Sequence, residues 1–107
     1  MNSIAFTPQP PYYAVVFTSV HRDENDGYAK MADRMAELAA EQPGYLGMET
    51  AHTEVGITVS YWESMEAIAN WRTNAEHLEA QARGQSEWYK EFRIRVCKVE
   101  REYGAVL

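Results

Sequence analysis

Residues 61–77, YWESMEAIANWRTNAEH, place two indoles, a carboxamide and an imidazole at short spacing: Trp62, Trp71, Asn74 and His77. Indole rings make flat apolar walls, and a carboxamide can hold a substrate oxygen by hydrogen bonding. Imidazole titrates near neutral pH, so it can take a proton from a ligand hydroxyl. Together they are the parts of a site for a small aromatic molecule, with His77 as base, Asn74 as hydrogen-bond partner and Trp71 and Trp62 as walls. Tyr28, Met31 and Met35, at helical spacing earlier in the chain, would form a facing wall, with the Tyr28 hydroxyl as a further partner. Each residue also has a purely structural role open to it. Trp71 on the inward side of a helix is core, Asn74 caps a helix, a first-turn His77 is solvated, and a Tyr-Met-Met stripe is ordinary packing. His21, in the charged HRDEND stretch, and His52, at a hairpin end, read as surface residues. Arg93 and Arg95 share a strand face and read as ion-pairing partners, with donation to an oxyanion as the alternative.

These residues need a scaffold, and its elements are legible. Residues 12–19, YYAVVFTS, are β-branched and aromatic and follow a proline pair, so they predict a strand with apolar side chains on both faces. Over residues 26–42 the apolar positions recur at three and four, with Tyr28, Met31, Met35 and Leu38 on one side, which predicts an amphipathic helix. Pro43 and Gly44 end it, Gly44 because it tolerates positive φ. Residues 45–52 and 57–62 alternate around a TEVG turn and predict a hairpin. Ser64 is suited to cap a helix carrying Met65, Ile68 and Trp71 inward, with Glu66 in its first turn. That helix is expected to break near Thr73, with Asn74 capping a second piece through Leu78 and Ala82 to Gly84, and Ser86 starting one more turn. The final run, EFRIRVCKVERE, alternates at Phe92, Ile94 and Val96 and then shifts to Cys97 and Val99, which predicts a bulge near Val96 or Cys97.

The order βαββαβ predicts an α+β, ferredoxin-like domain: a four-stranded antiparallel sheet with both helices on one face. The other face is also apolar on the first strand, so a second copy of the chain is expected to cover it, sheet to sheet, as a homodimer. With 107 residues there is room for one domain, expected at residues 12–103 between an extended lead-in at 1–11 and a tail at 104–107. A net charge of −6, with ten basic residues dispersed among sixteen acidic ones, argues against nucleic acid as a partner. The sequence has no apolar run for a membrane span and no signal-peptide pattern at its start, so a cytoplasmic protein is expected. Cys97 is the one cysteine, expected to be a buried, inert thiol, and no Cys or His pattern has metal-ligand spacing. Neither a glycine-rich phosphate loop nor a nucleophile elbow is present, so no flavin, nicotinamide or metal cofactor is expected.

The PGYLG turn at residues 43–47, the strand-end YWES with Trp62, Ser64, Glu66 and Ala67, and the stretch NAEH followed by WYKEFRIRV together resemble the antibiotic biosynthesis monooxygenase superfamily, over residues 12–103. The resemblance implies a dimeric α/β barrel. It also implies one of several chemistries: cofactor-free oxygenation of quinols or anthrones, haem degradation, or no reaction, as in a non-catalytic binding or stress-associated dimer. Haem-degrading members resemble one another in a first-strand asparagine, a second-helix tryptophan and a histidine ten residues later. Trp71 matches the tryptophan, but Gln81 stands at the histidine position and Ala14, Val15, Val16 and Phe17 offer no asparagine. The expectation is therefore a cofactor-independent monooxygenase acting on a small aromatic or quinol-like molecule.

Overall fold

The computed structural model describes residues 4–22, 28–82 and 88–107. The Gly84 stop and the Ser86 turn lie outside the described residues, as do the side chains of Tyr28, Leu78, Gln81 and Ala82. The chain runs β1 (Tyr12–His21), α1 (Tyr28–Ala40), β2 (Tyr45–His52), β3 (Gly56–Trp62), α2 (Met65–Ala82) and β4 (Tyr89–Val99). The four strands form one antiparallel sheet in the order β2-β3-β1-β4. This is the ferredoxin-like βαββαβ arrangement expected from the sequence.

Register separates the two faces, because directly paired residues project to the same side of a sheet. Tyr13, Val15 and Phe17 pair with Trp62, Ser60 and Thr58 on β3 and with Lys98, Val96 and Ile94 on β4. The helices pack on this face: Trp62 is the centre of a core made with Ala39 of α1 and Ala67 and Ile68 of α2, with Tyr13, Val15, Tyr45, Met48 and Trp71 around it. The opposite face carries Tyr12, Ala14, Val16, Tyr61, Val59, Glu49, Cys97 and Arg95. Residues 4–11 reach Glu49 on β2 at this face, where the Ala5 backbone N–H donates to the Glu49 carboxylate at 2.9 Å.

The junctions follow from side-chain chemistry. Ser64 caps α2 as expected, its hydroxyl accepting from the Ala67 N–H at 3.0 Å. Gly44 has φ +86, and a Cβ there would meet Ala67 Cβ at 2.6 Å, so only glycine allows the α1–β2 turn to lie against the first turn of α2. The Glu63 N–H donates to the Gly44 carbonyl at 2.9 Å and closes that junction.

Five expectations are corrected. α2 is continuous through Thr73 and Asn74. There Asn74 does not cap; its amide donates to the Asn70 carbonyl at 2.9 Å, which satisfies the side chain within the helix. The bulge lies between Val20 and His21, opposite Glu91 and Tyr89, and register is unbroken at Val96 and Cys97. Cys97 and Val99 are apolar simply because they face the other side of the sheet, and Cys97 is exposed there rather than buried. Met65 is exposed, with Ala67 taking the inward position beside Ile68.

Candidate functional site

The site is built outward from Trp62. Its ring is 0% exposed and its indole N–H donates to the Ser60 hydroxyl at 2.9 Å, so its polar atom is satisfied inside the core. The Tyr45 ring meets it edge-on at 5.5 Å, and Trp71 stacks on it at 5.8 Å with 21° between the planes. Trp71 is half-buried, so it forms the outer plate of the pair and Trp62 its backing. Met31 and Met35 are half-buried on α1.

Asn74 and His77 are exposed on α2, unlike this pair. Asn74 is exposed, and besides Asn70 it donates to Gln42 Oε1 at 3.3 Å, tying α2 to the end of α1. Gln42 in turn donates to the Leu38 carbonyl at 3.2 Å. His77 is exposed on α2. Six residues beyond Trp71, it sits about 120° round the helix from the indole. The neighbouring ion pair, Arg72 to Glu76 at 2.7 Å, belongs to the solvated side of the helix.

A surface that the sequence reading passed over lies on the same face of the sheet as the Trp pair. Among the described residues the main contacts of the helices are between α1 and β2, α2 and β3, and the two helices themselves, while the edge strand β4 keeps large apolar side chains exposed on the same sheet face. Phe92, Ile94 and Val96 stand there at 37%, 50% and 45% exposure. Their register partners on β1 are Ser19, Phe17 and Val15. The Phe17 ring stacks on Phe92 at 5.7 Å and meets Tyr89 edge-on at 5.5 Å, and Tyr89 lies 5.8 Å from Phe92. The result is an aromatic and aliphatic shelf running along two strands, on the helix side of the sheet.

Two imidazoles end the shelf. His21 lies 5.5 Å from Tyr89 and 4.5 Å from His52, with 31° between the imidazole planes. His21 is half-buried and His52 exposed. Burial, and then the nearby His52, hold the His21 imidazole below its usual titration range, favouring the neutral ring. The strand alternation of Phe92, Ile94 and Val96 was the available signal for the shelf. The His pair had no sequence signal, because its members meet only through the sheet register.

On the opposite face the Tyr61 hydroxyl donates to Glu49 at 2.6 Å and the Tyr12 hydroxyl to Glu102 at 2.8 Å. Burial first, and for Tyr61 the Glu49 contact next, push both phenols above their usual range. Among the described residues no three His, Cys, Asp or Glu side chains come together as metal ligands, and no helix is long and apolar enough to cross a membrane.

Residues 11–83 match the antibiotic biosynthesis monooxygenase family, and the chain belongs to it. The chain is similar to the uncharacterized protein YqjZ of Bacillus subtilis (strain 168), at 49% identity over 104 residues, covering 95% of this chain and 91% of the relative. Its fold is similar to SnoaB, a cofactor-independent oxygenase from Streptomyces nogalater, with a TM-score of 0.71 at 10% identity over 87% of this chain and 97% of that one. The protein SO0527 from Shewanella oneidensis gives a TM-score of 0.72 at 8% identity, over 86% and 94% of the two chains. At these identities the structural likeness speaks for the fold.

Proposed function

We propose that this chain acts in the cytoplasm as a homodimer that binds a small, flat, hydroxylated aromatic molecule on the β1–β4 shelf and oxygenates it without flavin or metal. The observation that carries the reading is the shelf itself. Among the described residues three large apolar side chains stand exposed on the helix side of the sheet, the side that also carries a stacked indole pair, in a family that contains monooxygenases. Trp71 is the wall from α2, Trp62 its backing, and Met31 and Met35 the α1 side. The substrate provides the electrons. A phenol or anthrone loses a proton to an imidazole, and its anion passes an electron to dioxygen. One oxygen atom then enters the ring, so that an anthrone CH2 becomes C=O, or a phenol's ring C–H and O–H become the two C=O groups of a quinone, while the other oxygen leaves with the two hydrogens as water. The protein contributes desolvation and alignment, which strengthen at an apolar site.

A second copy covers the opposite face in this reading. Ile57 is exposed there, beside Val16 and Val59, and Arg93 and Arg95 project from β4 to the same side. The test is oxygen uptake by metal-free protein with hydroquinones and anthrones, beside Ile94→Asp, which puts a charge on the shelf. Uptake that depends on substrate and falls at least tenfold in Ile94→Asp is the expected result. Ligand binding with no uptake by any compound would make the chain a binding protein, and no binding at all would remove the shelf as a site.

A further inference from the structure

The geometry points to the His21–His52 imidazole pair as the proton-accepting end of this shelf, the group that takes the hydroxyl proton of a bound phenolic ring. The inference rests on the shelf reading above and adds to it the residues and the route of the proton.

The pair exists because of one glycine. His21 ends β1 and His52 ends β2, two strands separated by β3 and so roughly 9–10 Å apart, with His21 two residues beyond the row that holds His52, Gly56 and Ser19. The imidazole centroids are nevertheless 4.5 Å apart. His52 pairs directly with Gly56, and Gly56 with Ser19. A Cβ on Gly56 would lie 2.9 Å from His52 Nδ1 and 3.4 Å from the Ser19 hydroxyl. The space left by the missing side chain is where the His52 ring crosses toward β1.

Position assigns the roles. His21 touches Tyr89, and Tyr89 touches Phe17 and Phe92, so His21 is the imidazole next to the shelf. His52 is exposed and reaches water. Burial, and then the His52 ring beside it, favour the neutral His21 imidazole, which leaves it free of a proton of its own to accept one. Proton transfer breaks the ligand O–H bond and forms an imidazole N–H bond. The electron pair stays on the ligand oxygen, and the proton leaves through the exposed ring. Among the described residues the Tyr89 phenol of β4 faces the pair. Arg22 follows His21 in sequence and Glu54 belongs to the β2–β3 turn, while Glu91 pairs with Val20 on the other side of the sheet.

The experiment uses 1,2-dihydroxyanthraquinone, whose visible absorption reports ionisation of its hydroxyl. It is titrated across pH with wild type, His21→Gln, His52→Gln, Gly56→Ala and His77→Ala. Wild type is expected to bind it and move its ionisation toward acid by about one pH unit, a tenfold change in the ionisation constant. His21→Gln should bind within about threefold and lose the shift. His52→Gln and Gly56→Ala should reduce the shift, Gly56→Ala while keeping both imidazoles. Proton NMR of the imidazole C–H groups checks the folding of each variant and should show the contact between the two rings lost in Gly56→Ala. A shift retained in His21→Gln, or lost in His77→Ala alone, overturns the inference and leaves the shelf standing. Absence of binding by folded wild-type protein overturns both.

Discussion

Ser60→Ala removes the acceptor of the Trp62 indole N–H at the centre of the core. The hydrogen bond is 2.9 Å long, the ring is fully buried, and Ser60 itself is buried, so water cannot replace the lost hydroxyl. Leaving a buried donor unsatisfied costs about 1–3 kcal/mol. That is a large part of a total of roughly 5–15 kcal/mol for a domain. For a chain of this size it lowers Tm by roughly 5–20 °C. Urea denaturation followed by circular dichroism measures the loss. The decisive comparison is the same substitution made in Trp62→Phe, where no indole N–H remains to be orphaned. The cost of Ser60→Ala should fall by about 1 kcal/mol in that background, which is the coupling expected of directly interacting residues. A Ser60→Ala protein within about 0.5 kcal/mol of wild type, or an equal loss in both backgrounds, would refute the claim that this hydrogen bond holds the Trp62 plate on which Trp71 rests.

Gly44→Ala should cost about 2–5 kcal/mol, combining the left-handed backbone with the close approach of Ala67 Cβ, and Ala67→Gly should relieve part of it in a denaturation cycle. Stability should decline as pH falls below the ordinary histidine value of 6.5, because the unfolded chain takes up a proton that folded His21 accepts only at lower pH; His21→Gln should flatten that part of the curve, and an unchanged curve would refute the burial argument. Tyr61 should ionise well above the ordinary phenol value of 10.0, so its contribution to stability is present below that value and is lost as pH rises toward the folded pKa. Tyrosinate absorbance should show Glu49→Gln ionising earlier than wild type.

Local chemistry made most of the scaffold readable. The Ser64 cap, the positive-φ Gly44 turn and the alternation in each strand are properties of short windows, and each stands in the folded chain where the sequence put it. Asn74 misled because its amide can satisfy itself on a helical carbonyl as well as at a cap. The parity change at Cys97 misled because both sheet faces are apolar, so a change of face looks like an insertion. For the site, the Trp62–Trp71 contact was readable from one strand end and the helix after it. The exposed shelf required knowing which strands the helices leave uncovered. The His pair required the register of three strands and the absence of a side chain at Gly56, and no local window contains either.

The unequal cover of the sheet divides the chain's tolerance of change. Under the helices, Trp62, Ala39, Ala67 and Ile68 are locked to one another, and substitutions there act on the fold. On the β1–β4 half, Ile94 and Val96 lend little to the core, and exchanges among side chains of similar polarity at such positions usually alter stability by less than about 0.5 kcal/mol. If the shelf is the binding site proposed above, descendants of one scaffold can exchange the ring they accept by altering a few β4 residues while the part that folds is inherited intact. A library confined to Phe92, Ile94 and Val96 would explore ligand choice in a population of molecules that nearly all fold.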